Sequence, residues 1–122
     1  NGDGETSRDF CYIDNTVQTN LLAATTDNDD ATDQVYNVAL NDRTSLNKLY
    51  QMIEERLIQR IQGLEKKEPI YKDFRAGDVR HSQANIDKAQ KLLGYKPKYI
   101  ISSGMDEAID WYIESLSVRH SK

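Results

Sequence analysis

Three short runs of β-forming residues alternate with helical patterns in this 122-residue chain, and that small number limits the fold most strongly. The runs cover residues 8–13, 34–40 and 69–74. A parallel sheet with helices on both faces needs more alternations than these. A chain of this length holds one compact core and buries only about two thirds of its extended surface. We therefore predict part of an α/β protein.

Four helices are predicted from the spacing of apolar residues and from capping signals. The first is capped by Asp14 and ends near Thr25, and its apolar face is expected to consist of Val17, Leu21 and Ala24. The second runs from Thr44 to about Gln62 and is stopped by Gly63.

The other two predicted helices lie in the last third of the chain. One spans residues 85–93 before Gly94, and the other is opened by Ser103 with Asp106 three positions later. The apolar stripe expected on the last helix consists of Met105, Ala108, Ile109, Tyr112, Ile113 and Leu116.

Charge and hydropathy exclude several classes of partner. The net charge is −4, and no stretch carries the clustered Lys and Arg of a nucleic-acid surface. No apolar run approaches the roughly 20 residues that span a bilayer, and the first residues carry neither a basic region nor an apolar signal core. We expect a cytoplasmic protein that binds neither nucleic acid nor membrane.

No metal site is expected. Cys11 is the single cysteine and is expected to be a buried thiol. The acidic stretch 27–33 lacks both the turn glycine and the spaced Glu of a calcium loop, so we interpret it as a solvated helix end. Of the two histidines, His120 lies near the end of the chain, and His81 is expected to support its loop by hydrogen bonds.

The polar loop over residues 75–82 has no apolar period and carries the chemistry of greatest interest. Arg75, and Arg8 earlier in the chain, present planar guanidinium groups that can give paired hydrogen bonds to a diphosphate. Asp78 can accept bonds from sugar hydroxyls, and Gly77 allows close approach of the backbone. The alternative is that both arginines pair with nearby acids in surface loops.

Two motifs of dehydrogenase chemistry are missing. The sequence has no Gly-x-Gly-x-x-Gly loop, and no Tyr is followed four residues later by Lys. Cofactor binding and proton transfer of the usual dehydrogenase kind are therefore not expected of these residues.

Several stretches, read in order, resemble the carboxy-terminal third of the extended short-chain dehydrogenase/reductases. Arg-Asp-Phe at residues 8–10 followed by Tyr-Ile-Asp is typical of sugar-nucleotide enzymes of that superfamily. The form Arg-x-Gly-Asp-x-Arg-His-Ser at residues 75–82 is narrower and resembles the bacterial UDP-N-acetylhexosamine and hexuronate 4-epimerases. Further matching stretches are Val-Tyr-Asn-Val at 35–38, Arg-Thr-Ser-Leu at 43–46 and Leu-Gly-Tyr-Lys-Pro at 93–97.

The resemblance implies a small carboxy-terminal substrate-binding domain, formed by residues 1–122, with short strands and about four helices. The Rossmann domain, which holds NAD in that family, would be absent from this chain and present in the parent protein. The parent is expected to be a homodimer, although the family's dimer helices also lie outside the resembling region.

Site residues follow from the same resemblance. Arg8 and Arg75 would contact the UDP diphosphate, and Asp78 would bind the ribose hydroxyls. Leu46 would lie against the nucleotide, with Arg43 near it. Ser82 occupies the position where a related galactose epimerase has Tyr.

The resemblance implies an NAD-dependent nucleotide-sugar 4-epimerase for the parent, acting in the synthesis of surface polysaccharide precursors. A Tyr assisted by Ser or Thr would take the C4 hydroxyl proton while hydride passes to NAD. Those residues lie upstream of this chain in the family, so we predict an inactive, UDP-sugar-binding fragment without a catalytic residue. The alternatives are a UDP-hexuronate epimerase or nucleotide-sugar dehydratase fragment, or a non-catalytic interaction domain.

Overall fold

A computed structural model describes the backbone of residues 1–119 and the side chains of residues 1–116. Over these residues the chain forms four α-helices, one two-stranded sheet and a short 3₁₀ turn. This agrees with the expected fold of short strands and about four helices. In chain order the elements are β1 (Ser7–Arg8), α1 (Ile13–Thr25), the 3₁₀ turn (Asp29–Ala31), β2 (Thr44–Ser45), α2 (Leu46–Arg60), α3 (Asp87–Leu93) and α4 (Ile101–Arg119). Among the described residues no helix is both long and apolar enough to cross a membrane.

Ser7 lies at the centre of the small sheet. It pairs antiparallel with Ser45 of β2 and forms an isolated parallel bridge with His81 on its other side. The Ser7 N–H donates to the Arg80 carbonyl over 3.0 Å, and the Ser82 N–H donates to the Ser7 carbonyl over 3.1 Å. Three distant parts of the chain therefore meet at one residue.

Two of the expected strands do not form. Residues 34–40 form no regular secondary structure, no ladder partner exists for them in the described part of the chain, and Val35 is 86% exposed. Residues 69–74 are irregular and mostly exposed. The strand predictions for these two segments were wrong. Both are rich in β-forming residues, but a strand also needs cross-strand neighbours, which local sequence does not supply.

The first expected strand ends at Arg8, because the side chain of the next residue, Asp9, binds the backbone of two other loops. Its carboxylate accepts the backbone N–H groups of Leu40 (3.0 Å), Asp42 (3.3 Å) and Ala84 (3.2 Å). One side chain thus holds the loop after residue 39 and the loop before α3 against the end of β1.

The compact core lies between α1, α3 and residues 36–39. Tyr95 and Ala89 are fully buried in it with Ile86 and Ala39. The Tyr95 hydroxyl donates to the buried Ala39 carbonyl over 2.9 Å, and burial raises the pKa of this phenol to about 12. The predicted helix before Gly94 is confirmed as α3, and Gly94 takes the left-handed conformation (φ 68°) that ends it.

The buried face of α1 is polar, opposite to the expected face. Asn15 is fully buried: its Oδ1 accepts the N–H groups of Lys98 (2.8 Å) and Tyr99 (3.1 Å), and its Nδ2 donates to the Tyr99 carbonyl (2.7 Å). Val17 and Leu21 are instead 45% and 62% exposed. The prediction was wrong because the opposite side of α1 faces inward, with Asn15 bonded to backbone groups and Leu22 packed against the core, so the apolar stripe is exposed. Asp14 lies in the first turn of α1 and is not its N-cap. The N-cap residue is Tyr12, whose side chain makes no capping hydrogen bond.

Helices α2 and α4 are joined by two ion pairs in register. Arg56 donates to Asp106 over 2.6 Å and Arg60 to Asp110 over 2.5 Å. The α2 helix is close to the prediction, with Ser45 as its cap, whereas α4 begins at Ile101, two residues before the expected Ser103. Beside the ion pairs lies a groove of about 870 Å³, lined by apolar side chains of both helices and by Phe10, Cys11 and Tyr12.

Candidate functional site

Arg8 and Asp78 form an ion pair at the edge of the small sheet. The Arg8 Nη2 donates to Asp78 Oδ1 over 2.6 Å, and its Nη1 donates to the Ser7 carbonyl over 2.8 Å. A guanidinium has five N–H donors, so three remain for a ligand. Among the described residues nothing donates to Asp78 Oδ2, which leaves an acceptor for a hydroxyl group.

Arg75 is the first residue and Asp78 the last residue of a four-residue turn. The Asp78 N–H donates to the Arg75 carbonyl over 3.2 Å, and Gly77 has φ 77° at the third position, as a type II turn requires. The Arg75 side chain is exposed, and no described residue pairs with it. The alternative prediction was that both arginines pair with nearby acids. Arg8 does so, with Asp78, whereas Arg75 does not.

Two polar clefts lie beside the small sheet, and Gln83 lines both of them. Ser7 lines one of them and Arg8 lines the other. The cleft on the Arg8 side has a volume of about 370 Å³ and also contains Ser82. The cleft on the Ser7 side has a volume of about 560 Å³ and contains Arg43, Lys48 and His81.

The predicted site residues thus fall into two groups. Arg8 and Ser82 line one cleft, and Asp78 joins them through its bond to Arg8 although neither Asp78 nor Arg75 lines a cleft; Arg43 lines the other cleft. Leu46 is the first residue of α2 and is half-buried; its N–H donates to the Thr6 carbonyl over 3.0 Å, and it lines neither polar cleft. Ligand contacts by Arg43 or Leu46 would therefore require a ligand that reaches beyond the Arg8 cleft.

His81 has the loop-supporting role expected from the sequence. Its Nδ1 is 2.8 Å from the Ser7 hydroxyl, at the bridge that joins the two segments. His120 lies outside the described residues. No group of three or more metal-ligating side chains occurs in the part of the chain that the structure describes, and Cys11 is half-buried, donating weakly to the Tyr12 carbonyl rather than being fully buried.

Sequence reasoning missed one pair at this site. Arg80 donates to both oxygens of Asp3, through Nη1 over 2.8 Å and Nη2 over 2.7 Å. The hydrogen bond from Arg80, with a backbone bond from Glu5, lowers the pKa of Asp3 to about 2. The signal was present in the charge of Arg80 within the 75–82 motif, but its partner lies 77 positions away in the chain.

The residues of this chain do not fit NAD. A dinucleotide pyrophosphate is held where a glycine-rich turn leads from a strand into a helix. Here β1 leads into α1 through residues 9–12, Asp-Phe-Cys-Tyr, and this connection contains no glycine. Asp9 already uses both carboxylate oxygens on backbone N–H groups.

Comparison with known proteins gives a consistent set of relatives. A family model described as GDP-mannose 4,6 dehydratase matches residues 1–108. The UDP-glucose 4-epimerase of Thermotoga maritima, solved with UDP-glucose, is 34% identical with a TM-score of 0.78 and is matched over 94% of this chain and 34% of its own. The chain spans about a third of the length of the first curated relatives that it matches, at 30% and 31% identity.

Two further solved structures carry other sugars. The UDP-glucuronic acid 4-epimerase of Bacillus cereus, in complex with UDP-glucuronic acid and NAD, is 29% identical with a TM-score of 0.73, over 94% of this chain and 34% of that one. The UDP-N-acetylglucosamine 4-epimerase of Methanobrevibacter ruminantium, in complex with UDP-N-acetylmuramic acid, is 31% identical with a TM-score of 0.73, over 93% and 34%.

Proposed function

The chain belongs to the extended short-chain dehydrogenase/reductases, within the family that the GDP-mannose 4,6-dehydratase model describes, and we propose that it is the UDP-sugar-binding part of a 4-epimerase. The substrates proposed are UDP-N-acetylglucosamine and UDP-N-acetylgalactosamine, as precursors of a surface polysaccharide. The observation that carries the proposal is the Arg8–Asp78 pair beside the Arg75 turn.

This pair suits a nucleoside diphosphate because it offers donors and an acceptor side by side. Arg8 keeps three N–H donors for phosphate oxygens, and the exposed Arg75 can add a second guanidinium from the turn. Asp78 keeps one carboxylate oxygen for the ribose hydroxyls. Ser82 lines the same cleft as Arg8, while Leu46 and Arg43 would meet more distant parts of the nucleotide.

The N-acetylated sugar is proposed from the motif at residues 75–82, and a UDP-N-acetylglucosamine 4-epimerase among the similar structures supports it. A UDP-hexuronate epimerase is the second candidate, supported by the glucuronate enzyme of comparable identity. Residues that would touch the sugar ring decide between them, and in this family those lie in the Rossmann part.

NAD and the groups that act on C4 are proposed to come from the parent's other two thirds. The uncovered apolar surfaces support a role within a larger protein, because large exposed apolar patches on a single domain mark contacts with other polypeptide. Ile13, Val17 and Leu21 form such a stripe on α1. The isolated chain is accordingly proposed to bind the UDP-sugar weakly and to catalyse nothing.

Calorimetric titration of the purified chain with UDP tests the binding proposal. Wild-type protein should bind weakly, and Arg75→Ala should abolish binding. Arg60→Ala is the matched control, since it removes an arginine that pairs with Asp110 and lines neither polar cleft. Equal binding by wild type and Arg75→Ala would contradict the assignment of Arg75.

The inactivity of the chain needs its own assay. Incubation with UDP-N-acetylglucosamine and NAD should give no UDP-N-acetylgalactosamine. Turnover would contradict the proposal that the chemistry resides elsewhere in the parent. Absence of any UDP binding would instead favour a non-catalytic interaction domain.

A further inference from the structure

The loop that carries Asp78 is held to the rest of the molecule at a small number of points. Residues 71–83 are exposed, and apart from the bridge at His81 they form no regular structure. At one end the Gly2 N–H donates to the Lys72 carbonyl over 2.7 Å, and at the other Ser7 is bonded to Arg80 and Ser82. Side-chain contacts add to these backbone bonds.

The Asp3–Arg80 ion pair is one of these side-chain contacts, and it is bidentate. Two parallel N–H···O bonds of 2.8 Å and 2.7 Å join the guanidinium to both carboxylate oxygens. Most exposed ion pairs contribute little to stability, but this bidentate geometry is the recognised exception. The Arg80 guanidinium also lies 5.4 Å from the centre of the Phe74 ring, so it contacts the loop on a second side.

Asp3 is itself fixed on the body of the protein. Its Oδ1 accepts the Glu5 N–H over 3.0 Å, and its carbonyl accepts Asn47 Nδ2 of α2 over 3.1 Å. The lowered pKa of Asp3 agrees with a carboxylate held in its charged form by these donors, Arg80 first. Arg80 is therefore bonded to a partner that the start of α2 orients.

The Phe74 ring also lies over the backbone of Gly2. A Cβ atom at residue 2 would come within 2.5 Å of that ring, and Gly2 has φ 71°, so only glycine fits there without a shift. The loop thus contacts the first residues of the chain both before and after Asp78.

Resting on the proposed function, we infer that Arg80 and Asp3 are positioning residues for the nucleotide site. Arg80 is two residues beyond Asp78, so its bonds to Asp3 determine where the Asp78 carboxylate meets Arg8. Both terminal nitrogens of Arg80 and both carboxylate oxygens of Asp3 are already bonded to each other. Their effect on UDP binding therefore passes through the geometry of the Arg8–Asp78 pair.

Hydrogen exchange of the ligand-free chain tests this inference without reference to any ligand. Arg80→Gln should reduce the protection of the Asp78 and Ser82 amides by about tenfold, since the loop then opens locally. Arg60→Gln breaks the exposed Arg60–Asp110 pair and serves as the matched control, with protection of those two amides unchanged. Unchanged protection in Arg80→Gln would overturn the inference.

A charge reversal separates positioning from direct contact with the ligand. The double variant Asp3→Arg/Arg80→Asp restores an ion pair at the same place, and it should recover both amide protection and UDP affinity. The affinity lost in Arg80→Gln should be about tenfold, because a displaced binding group weakens binding without leaving the site. Recovery of protection without recovery of affinity would mean that Arg80 touches the ligand, which overturns the positioning role.

The two proposals fail in different ways. If wild-type protein does not bind UDP while Arg80→Gln still loses protection, the proposed function is wrong and the structural role of the ion pair stands. If UDP binds and Arg80→Gln changes neither protection nor affinity, the positioning role is wrong and the proposed function stands.

Discussion

Arg8 donates to Asp78 over 2.6 Å although 70 positions separate the two residues in the chain. The pair is about one third exposed on each side chain, 31% and 38%, so it is open to a ligand and is not a buried structural bridge. A diphosphate can bind the free donors of Arg8 while Asp78 keeps that guanidinium in place.

Asp78→Asn keeps the shape of this side chain and removes its charge. We expect UDP affinity to fall by about 10- to 100-fold, the range that corresponds to loss of a hydrogen bond between charged groups. Calorimetric titration measures the change. Asp110→Asn, which breaks the Arg60–Asp110 pair, is the control and should bind UDP as the wild type does.

Asn15→Ala should be strongly destabilising because it removes three hydrogen bonds at a fully buried position. The N–H groups of Lys98 and Tyr99 would lose their acceptor, at a cost of about 2–4 kcal/mol. Urea unfolding monitored by circular dichroism gives the value. Asn20→Ala, on the exposed side of the same helix, should change stability by less than about 0.5 kcal/mol. Similar values for both variants would contradict the role of Asn15.

Gly104→Ala sets helix preference against packing. Alanine favours a helix by about 1 kcal/mol over glycine, but its Cβ would lie 2.5 Å from the Tyr12 Cβ. Tyr12 is held by an edge-to-face contact with Tyr99 and has little room to move. We expect a net loss of about 1–2 kcal/mol in unfolding free energy. Glu107→Ala, exposed on the same helix, is the control, and a stabilised Gly104→Ala variant would show that Tyr12 yields.

Tyr95 should make the chain sensitive to alkali. Burial raises the pKa of this phenol to about 12, and a raised folded-state pKa means that its stabilising effect is complete below the ordinary tyrosine value. That stability is lost as pH rises through about 12. Phenolate absorbance should show one of the seven tyrosines titrating last, and Tyr95→Phe should remove that step. A final step retained in Tyr95→Phe would assign it to another tyrosine.

The apolar stripe on α1 should cause self-association when the chain is isolated. Val17→Gln with Leu21→Gln should weaken association while leaving stability within about 0.5 kcal/mol, because both side chains are exposed. Sedimentation equilibrium over a range of protein concentrations measures this, with Asn20→Gln as the control on the same helix. A wild-type chain that stays monomeric throughout would contradict the expectation.

Helices were predictable because their signals are local. The cap Ser45 and the stop Gly94 lie next to the residues whose backbone they satisfy, so α2 and α3 follow from neighbouring residues. The strand predictions over 34–40 and 69–74 were wrong because ladder partners are distant in sequence. The buried face of α1 was also wrong, since apolar spacing indicates an apolar surface and does not say whether this chain covers it.

By itself the sequence determined the helices, the polar loop with Arg75 and Asp78, and the resemblance to a superfamily. Tertiary structure alone decided that Arg8 meets Asp78, that Arg43 lines a different cleft from Arg8, and that Asp3 bonds to Arg80. The physical reason is the distance along the chain over which each kind of interaction acts. Capping and helical spacing act within a few residues, whereas ion pairs form between any two groups that backbone pairing at Ser7 brings together.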